Sequence, residues 1–209
     1  MLIQKIRYGI KTADMTVDGE NYKVSLEVLS RHGFKVLQEL EIAQFEEFLI
    51  ESDQANTLDY LLAMLARAPR SEQEARNTLR EKGYKYTSVR NAIEKVKKVG
   101  FLDDRKFAES FILGASKEKG ISLIRTELQN KGVDQEIIES ELEKAKVNES
   151  DVCINVMGKY MNGKRYNDTK TMERLIRFLI ARGFSADSIK VALPLNEINI
   201  EGYMNNSDS

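Results

Sequence analysis

The side chains in this sequence that invite chemistry are cations suited to binding rather than nucleophiles suited to reaction. Arg67, Arg70, Arg76, Arg80, Lys82, Arg90, Lys97 and Lys98 form the densest basic set, and Lys164, Arg165, Arg174, Arg177 and Arg182 form a second. A guanidinium offers forked N–H donors that match carboxylate or phosphate, so these residues are the candidate partner contacts. Arg70 leads them because a helix is predicted to begin there, and Arg174 and Arg177, three apart, share one helix face. Taken singly, a surface cation is more often part of a solvated helix face than of an interface. Tyr84, Tyr86, Tyr160 and Tyr166 interleave with both sets, and a phenol ring can stack on a nucleobase. Tyr84, however, falls at an apolar repeat position and is expected in the core.

The charges are unevenly spread. Residues 57–100 carry 10 Lys/Arg against 5 Asp/Glu, residues 101–150 carry 8 against 11, and residues 151–193 carry 8 against 4. Basic outer segments around an acidic middle suit a partner of alternating sign better than uniform DNA, whose phosphates would repel the middle segment. The formal net charge is −1 and the pI about 6.1, so any affinity for nucleic acid must be local.

Catalytic chemistry has little to work with. The chain holds one histidine, His32, one cysteine, Cys153, and no tryptophan. His32 sits at a predicted turn without an evident acidic or hydroxyl partner in sequence, and Cys153 lies in an apolar run, so both read as structural. Asp103-Asp104 reads as a helix start rather than an acid/base pair, because adjacent helical residues point apart. Phosphate-binding glycine loops, His-x-x-x-His pairs and nucleophile elbows are absent from the sequence. Neither enzymatic activity, nor a cofactor, nor a metal is expected. A single cysteine and the lack of a long apolar run point to a cytoplasmic protein with no membrane partner.

The elements that must position the cations come in two kinds. Ile6, Tyr8 and Ile10 alternate with Lys5, Arg7 and Lys11, and Tyr22, Val24, Leu26 and Val28 repeat that period of two. With the turn dipeptide Asp18-Gly19 between them and the apolar stretch Phe34 to Leu37 after them, they predict a small antiparallel β-cap. From Ile42 the period becomes helical, with Phe45, Phe48 and Leu49 on one face, and residues 52–56 look like a break.

Beyond that lies an internal repeat anchored on Gly83, Gly132 and Gly183, 49 and 51 residues apart. Leu79, Leu128 and Leu179 precede these glycines by four residues, and Tyr84, Val133 and Phe184 follow them. Each glycine stands where an apolar-periodic run ends and a left-handed residue is needed to stop a helix. Capping candidates come next, Thr87 or Ser88, Asp134 and Ser185, while Ser71 and Glu74 have the spacing of a capping box. Leu102-Asp103 before Phe107 reads as a hydrophobic staple around an Asp cap. The prediction is a mainly α chain: a β-cap and connecting helix over 1–56, three-helix repeats over 57–100, 101–150 and 151–195, and a polar tail over 196–209. Units of this size bury too little alone, so a tandem, curved and elongated array is expected.

Three stretches carry a specific resemblance: LARAPRSEQEARNTLREKGY (65–84), GFLDDRKFAESF (100–111) and KGISLIRTELQNKGV (119–133). Together they resemble the RecX family in motif and in spacing, and the likeness extends over nearly the whole chain except its tail. One departure is local: the family has an arginine soon after the Phe-Ala pair, where this chain has Gly114, Ala115 and Ser116 before Lys117. The resemblance implies a tandem three-helix protein, acting as a monomer without cofactor, that binds the RecA filament on single-stranded DNA. It further implies inhibition of strand exchange and of the coupled ATPase, with roles in DNA repair, recombination and the SOS response. The alternatives are an autonomous DNA-binding protein contacting phosphates through its basic modules, or a repeat scaffold for some other protein.

Overall fold

A computed structural model describes residues 1–162 and 169–193, and the chain divides into two compact units, residues 1–103 and 104–209. The predicted tail and the predicted contacts Lys164 and Arg165, with Tyr166, lie outside the described residues.

The first unit opens with three strands, β1 (Ile3–Tyr8), β2 (Thr12–Val17) and β3 (Glu20–Ser25), paired antiparallel in the order β1-β2-β3. Asp18 and Gly19, both at positive φ, join β2 to β3 as a two-residue hairpin turn. Ile3, Ala13, Met15, Val17 and Val24 pack inward against Phe34, Phe45 and Phe48. The sequence expectation was wrong at two points here. The second alternating run stops at Ser25, whose side chain accepts from the Val28 backbone N–H and starts helix α1 (Leu26–His32). Val28 and Leu29, neighbours in the chain, are then both buried, whereas a strand would have sent them to opposite faces. Nor do residues 34–37 form a strand: only backbone bonds such as Leu37 N–H to the Ile3 carbonyl (2.8 Å) tie this region to β1.

Helix α2 (Ile42–Leu65) runs unbroken through residues 52–56, contrary to the expected break. Ser52 is buried and accepts the Ser25 N–H at 2.7 Å, and Thr57 donates to the Asp53 carbonyl at 2.6 Å, so the polar residues that look like a loop are satisfied inside a helix. One helix thereby serves both the sheet core through Phe45 and Phe48 and a second core through Leu61. That second core is closed by α3 (Glu72–Glu81) and α4 (Tyr86–Lys98). Ser71 and Glu74 form the predicted capping box. Helix α4 begins one residue before the predicted caps, after Lys85, and Ser88 is a buried helical residue.

The second unit holds two further helix triplets, α5 (Asp104–Ala115), α6 (Ile121–Asn130) and α7 (Gln135–Ala145), then α8 (Glu149–Met161), α9 (Thr169–Ala181) and α10 (Ala186–Ala192). Each triplet surrounds its own cluster of buried residues, Phe107 to Leu142 in one and Cys153 to Leu193 in the other. Asp134 and Ser185 cap α7 and α10 as expected. The three repeat glycines all have positive φ, from 75° to 83°.

Candidate functional site

Tertiary structure sorts the predicted cations into engaged and available ones. Arg76 Nε donates to Glu72 Oε1 at 2.8 Å one turn away on α3, and Lys97 reaches the other oxygen of Glu72 from α4. Burial pushes the Glu72 carboxyl up, but the bonds from Lys97 and Arg76 outweigh it and hold the group below its ordinary value. Arg76 and Lys97 therefore clamp α3 to α4, a structural task that competes with partner contact. Arg67, Arg70, Lys82, Arg90 and Lys98 are exposed and make no ion pair among the described residues. Arg80 is also exposed and lies with its guanidinium 5.7 Å from the centre of the Tyr86 ring.

In the second unit Arg174 and Arg177 are exposed on one face of α9, with Arg177 3.7 Å from Glu173. Arg182 is half-buried over the Phe178 ring at 5.2 Å, and its carbonyl accepts the Gly120 N–H at 2.8 Å. Its position in the repeat matches Lys82 and Lys131, and Lys131 also lies over rings, those of Phe107 and Phe111. Lys82 instead lines an open cleft. The acidic middle segment is partly spent internally: Glu141 binds Lys144 at 2.7 Å and Arg105 at 3.4 Å, and Glu127 binds Lys119.

Tyr84 is half-buried rather than fully enclosed, with its ring 5.8 Å from that of Tyr60. Tyr86 and Tyr160 are exposed. His32 does have an acidic partner, contrary to expectation: its Nε2 lies 3.1 Å from Glu51 Oε2, which also accepts from Arg31. Nineteen residues separate the two, so no local motif could have revealed the pair. The Cys153 thiol is buried, and burial followed by the charge of Glu149 pushes it up to about 11, an inert hydrophobe as expected. Among the described residues no cluster of three or more His, Cys, Asp or Glu is placed to hold a metal, and no helix is long and apolar enough to cross a membrane.

Sequence reasoning missed Glu149. Its Oε1 accepts the Ile121 N–H at 2.7 Å at the start of α6, and its Oε2 accepts the Ser185 N–H at 3.2 Å and the Ser188 hydroxyl at 2.8 Å at the start of α10. One carboxylate thus serves two helix N-termini, where backbone donors are unpaired and negative charge is favoured.

The family model for the second three-helix domain of RecX matches residues 103–142, which span α5 and α6 and most of α7. A Legionella pneumophila protein named regulatory protein RecX is 30% identical over 132 residues, a match covering 63% of this chain and 88% of that one. The chain belongs to the RecX family. A Clostridium botulinum RecX is 28% identical over 186 residues and matches 87% of each chain. Among solved structures, a crystal structure of regulatory protein RecX superposes with a TM-score of 0.65 over 93% of this chain and 100% of that one at 21% identity, a likeness of fold. RecX from Lactobacillus salivarius gives a TM-score of 0.57 over 74% of this chain and 97% of that one.

Proposed function

We propose that this RecX-family protein docks on the RecA filament assembled on single-stranded DNA and lowers its ATP hydrolysis and strand exchange, acting in the cytoplasm in DNA repair and the SOS response. The observation that carries this reading is the group of exposed cations on the first repeat, Arg67, Arg70, Arg80, Lys82, Arg90 and Lys98, which make no ion pair among the described residues. Uncommitted guanidinium and ammonium groups are free to meet carboxylates of a protein filament or the phosphates it encloses. Of the three repeats, taken as 57–100, 101–150 and 151–195, the first would present this surface to the partner.

Titration into a single-strand-dependent RecA ATPase assay tests partner and direction together. Substoichiometric protein is expected to lower hydrolysis, and Arg70→Glu to weaken that effect without changing the circular dichroism spectrum. Unchanged hydrolysis, combined with tight binding to naked DNA at near-physiological salt, would replace this reading with autonomous DNA binding.

A further inference from the structure

The first unit contains a cleft of about 720 Å³ that shares Arg67 and Lys82 with the RecA reading and adds groups that reading does not use. Its walls come from the β1–β2 turn through Lys11, from β3 through Lys23, from α2 through Asp53 and Tyr60, and from the α3–α4 connection through Lys82 and Tyr84. Arg67, just beyond α2, completes the rim. Charge in the cleft is ordered by depth. The four cations are exposed, with Asp59 exposed beside Lys11, whereas Asp53, Tyr60 and Tyr84 are half-buried. Lys11 shares its charge with Asp59 at 3.6 Å, while Lys23, Arg67 and Lys82 make no ion pair among the described residues.

One acceptor of the floor is unmet. Asp53 Oδ2 is out of contact with solvent and has no hydrogen-bond partner among the described residues. A buried carboxylate oxygen left unpaired is unfavourable by more than an ordinary hydrogen bond contributes, so something with an N–H or O–H belongs there. The Tyr84 phenol is pushed up from its ordinary value by burial and then by Tyr60, Asp53 and Asp59, a sign that the floor is electronegative.

We propose that this cleft seats one nucleotide unit of a single-stranded nucleic acid. The phosphate lies at the rim against Lys23, Lys82 and Arg67, the base stacks on the Tyr60–Tyr84 pair, and a base amino group donates to Asp53 after rotation of its carboxylate. An acidic peptide fits less well, since a carboxylate reaching the floor meets Asp53. A nucleotide carries its negative charge at one end and neutral N–H donors and a π-face at the other, which matches the order found here. The inference does not rest on RecA binding, because every group it uses is in this chain.

Fluorescence anisotropy of labelled mixed-sequence single strands with the full chain tests it. Binding is expected to be salt-sensitive, and the exposed double substitution Lys11→Gln with Lys23→Glu to weaken it at least tenfold at unchanged circular dichroism. Asp53→Asn is expected to narrow the preference for oligo(dC) over oligo(dT), because cytosine carries the amino group. Undiminished binding by the lysine variant, equal binding of an abasic sugar-phosphate strand, or displacement by polyglutamate at equal charge would each overturn the site. Displacement by a free mononucleotide as effectively as by the strand would overturn its assignment to a strand. Arg70, exposed and outside the cleft, should leave strand binding unchanged when replaced by Glu, so failure here and failure of the RecA reading are separable.

Discussion

Ser71 and Gly120 occupy the same place in their repeats, twelve residues before Gly83 and Gly132, yet they start their helices by opposite means. In the first repeat the means are local: Ser71 accepts the Glu74 N–H at 3.1 Å and Glu74 returns a bond to the Ser71 N–H at 3.2 Å. In the second unit Gly120 has no side chain to offer, and the α6 terminus is served by Glu149 from 28 residues away. The glycines that end α3 and α9 differ in the same way. Gly83 has a φ of +83° with open space where a Cβ would stand, whereas a Cβ on Gly183 (φ +79°) would lie 2.3 Å from the Leu123 nitrogen. Gly83 answers only to its own backbone, while Gly183 also answers to a neighbouring helix. At the start of α6 and the end of α9, the second unit has exchanged self-contained helix ends for ends that are completed by another repeat.

Substitutions can break this comparison, the largest effect first. A methyl on Gly120 would lie 2.1 Å from the Gly183 carbonyl oxygen, backbone that cannot swing aside. Gly120→Ala should therefore destabilise the second unit by about 3 kcal/mol or more, measured by urea denaturation, while leaving amide exchange in α3 and α4 unchanged. Gly183→Ala meets both a positive φ and the Leu123 backbone and should lower stability by about 2–4 kcal/mol, against about 1 kcal/mol for Gly83→Ala, which meets only the backbone term. Equal losses for the two would show that the close approach contributes nothing.

Glu149→Gln keeps the shape but removes the charge from bonds to two helix starts, and should lower stability by about 1–2 kcal/mol. It also has a pH signature. Burial pushes the Glu149 carboxyl up, but the bonds from Ser185, Ile121 and Ser188 outweigh it, so its folded value is depressed. The stability it contributes is present above the unfolded value, about 4.3, and is lost as pH falls through the folded one. Acid titration of unfolding should accordingly be flatter for Glu149→Gln than for the parent chain over that window. The smallest effect is expected at Ser71→Ala, about 1 kcal/mol, confined to the first unit and read as faster amide exchange at the start of α3.

These contrasts also mark what could be read in advance. The helix stops at Gly83, Gly132 and Gly183 and the starts at Ser71, Asp134 and Ser185 are legible because a cap is made within a few residues of itself. The run from Tyr22 to Val28 misled because its alternation continues past Ser25, where a cap turns the chain into a helix. Residues 52–56 misled because Ser52 and Thr57 look like loop residues until buried partners are in place. Among the candidate contacts, Arg70 was legible as an exposed residue at a helix start, and Glu72 four residues before Arg76 is a local sign that Arg76 is held, whereas the reach of Lys97 to Glu72 from α4 is tertiary.

By itself, then, the sequence determined the helical repeat, its punctuation and its family, since periodicity and capping act over a turn or two of chain. Only tertiary structure decided which cations remain uncommitted, that His32 meets Glu51, that Gly120 packs on Gly183, and that Glu149 completes two helices at once. Those outcomes depend on distances between residues tens of positions apart, and such distances are set by packing rather than by local spacing.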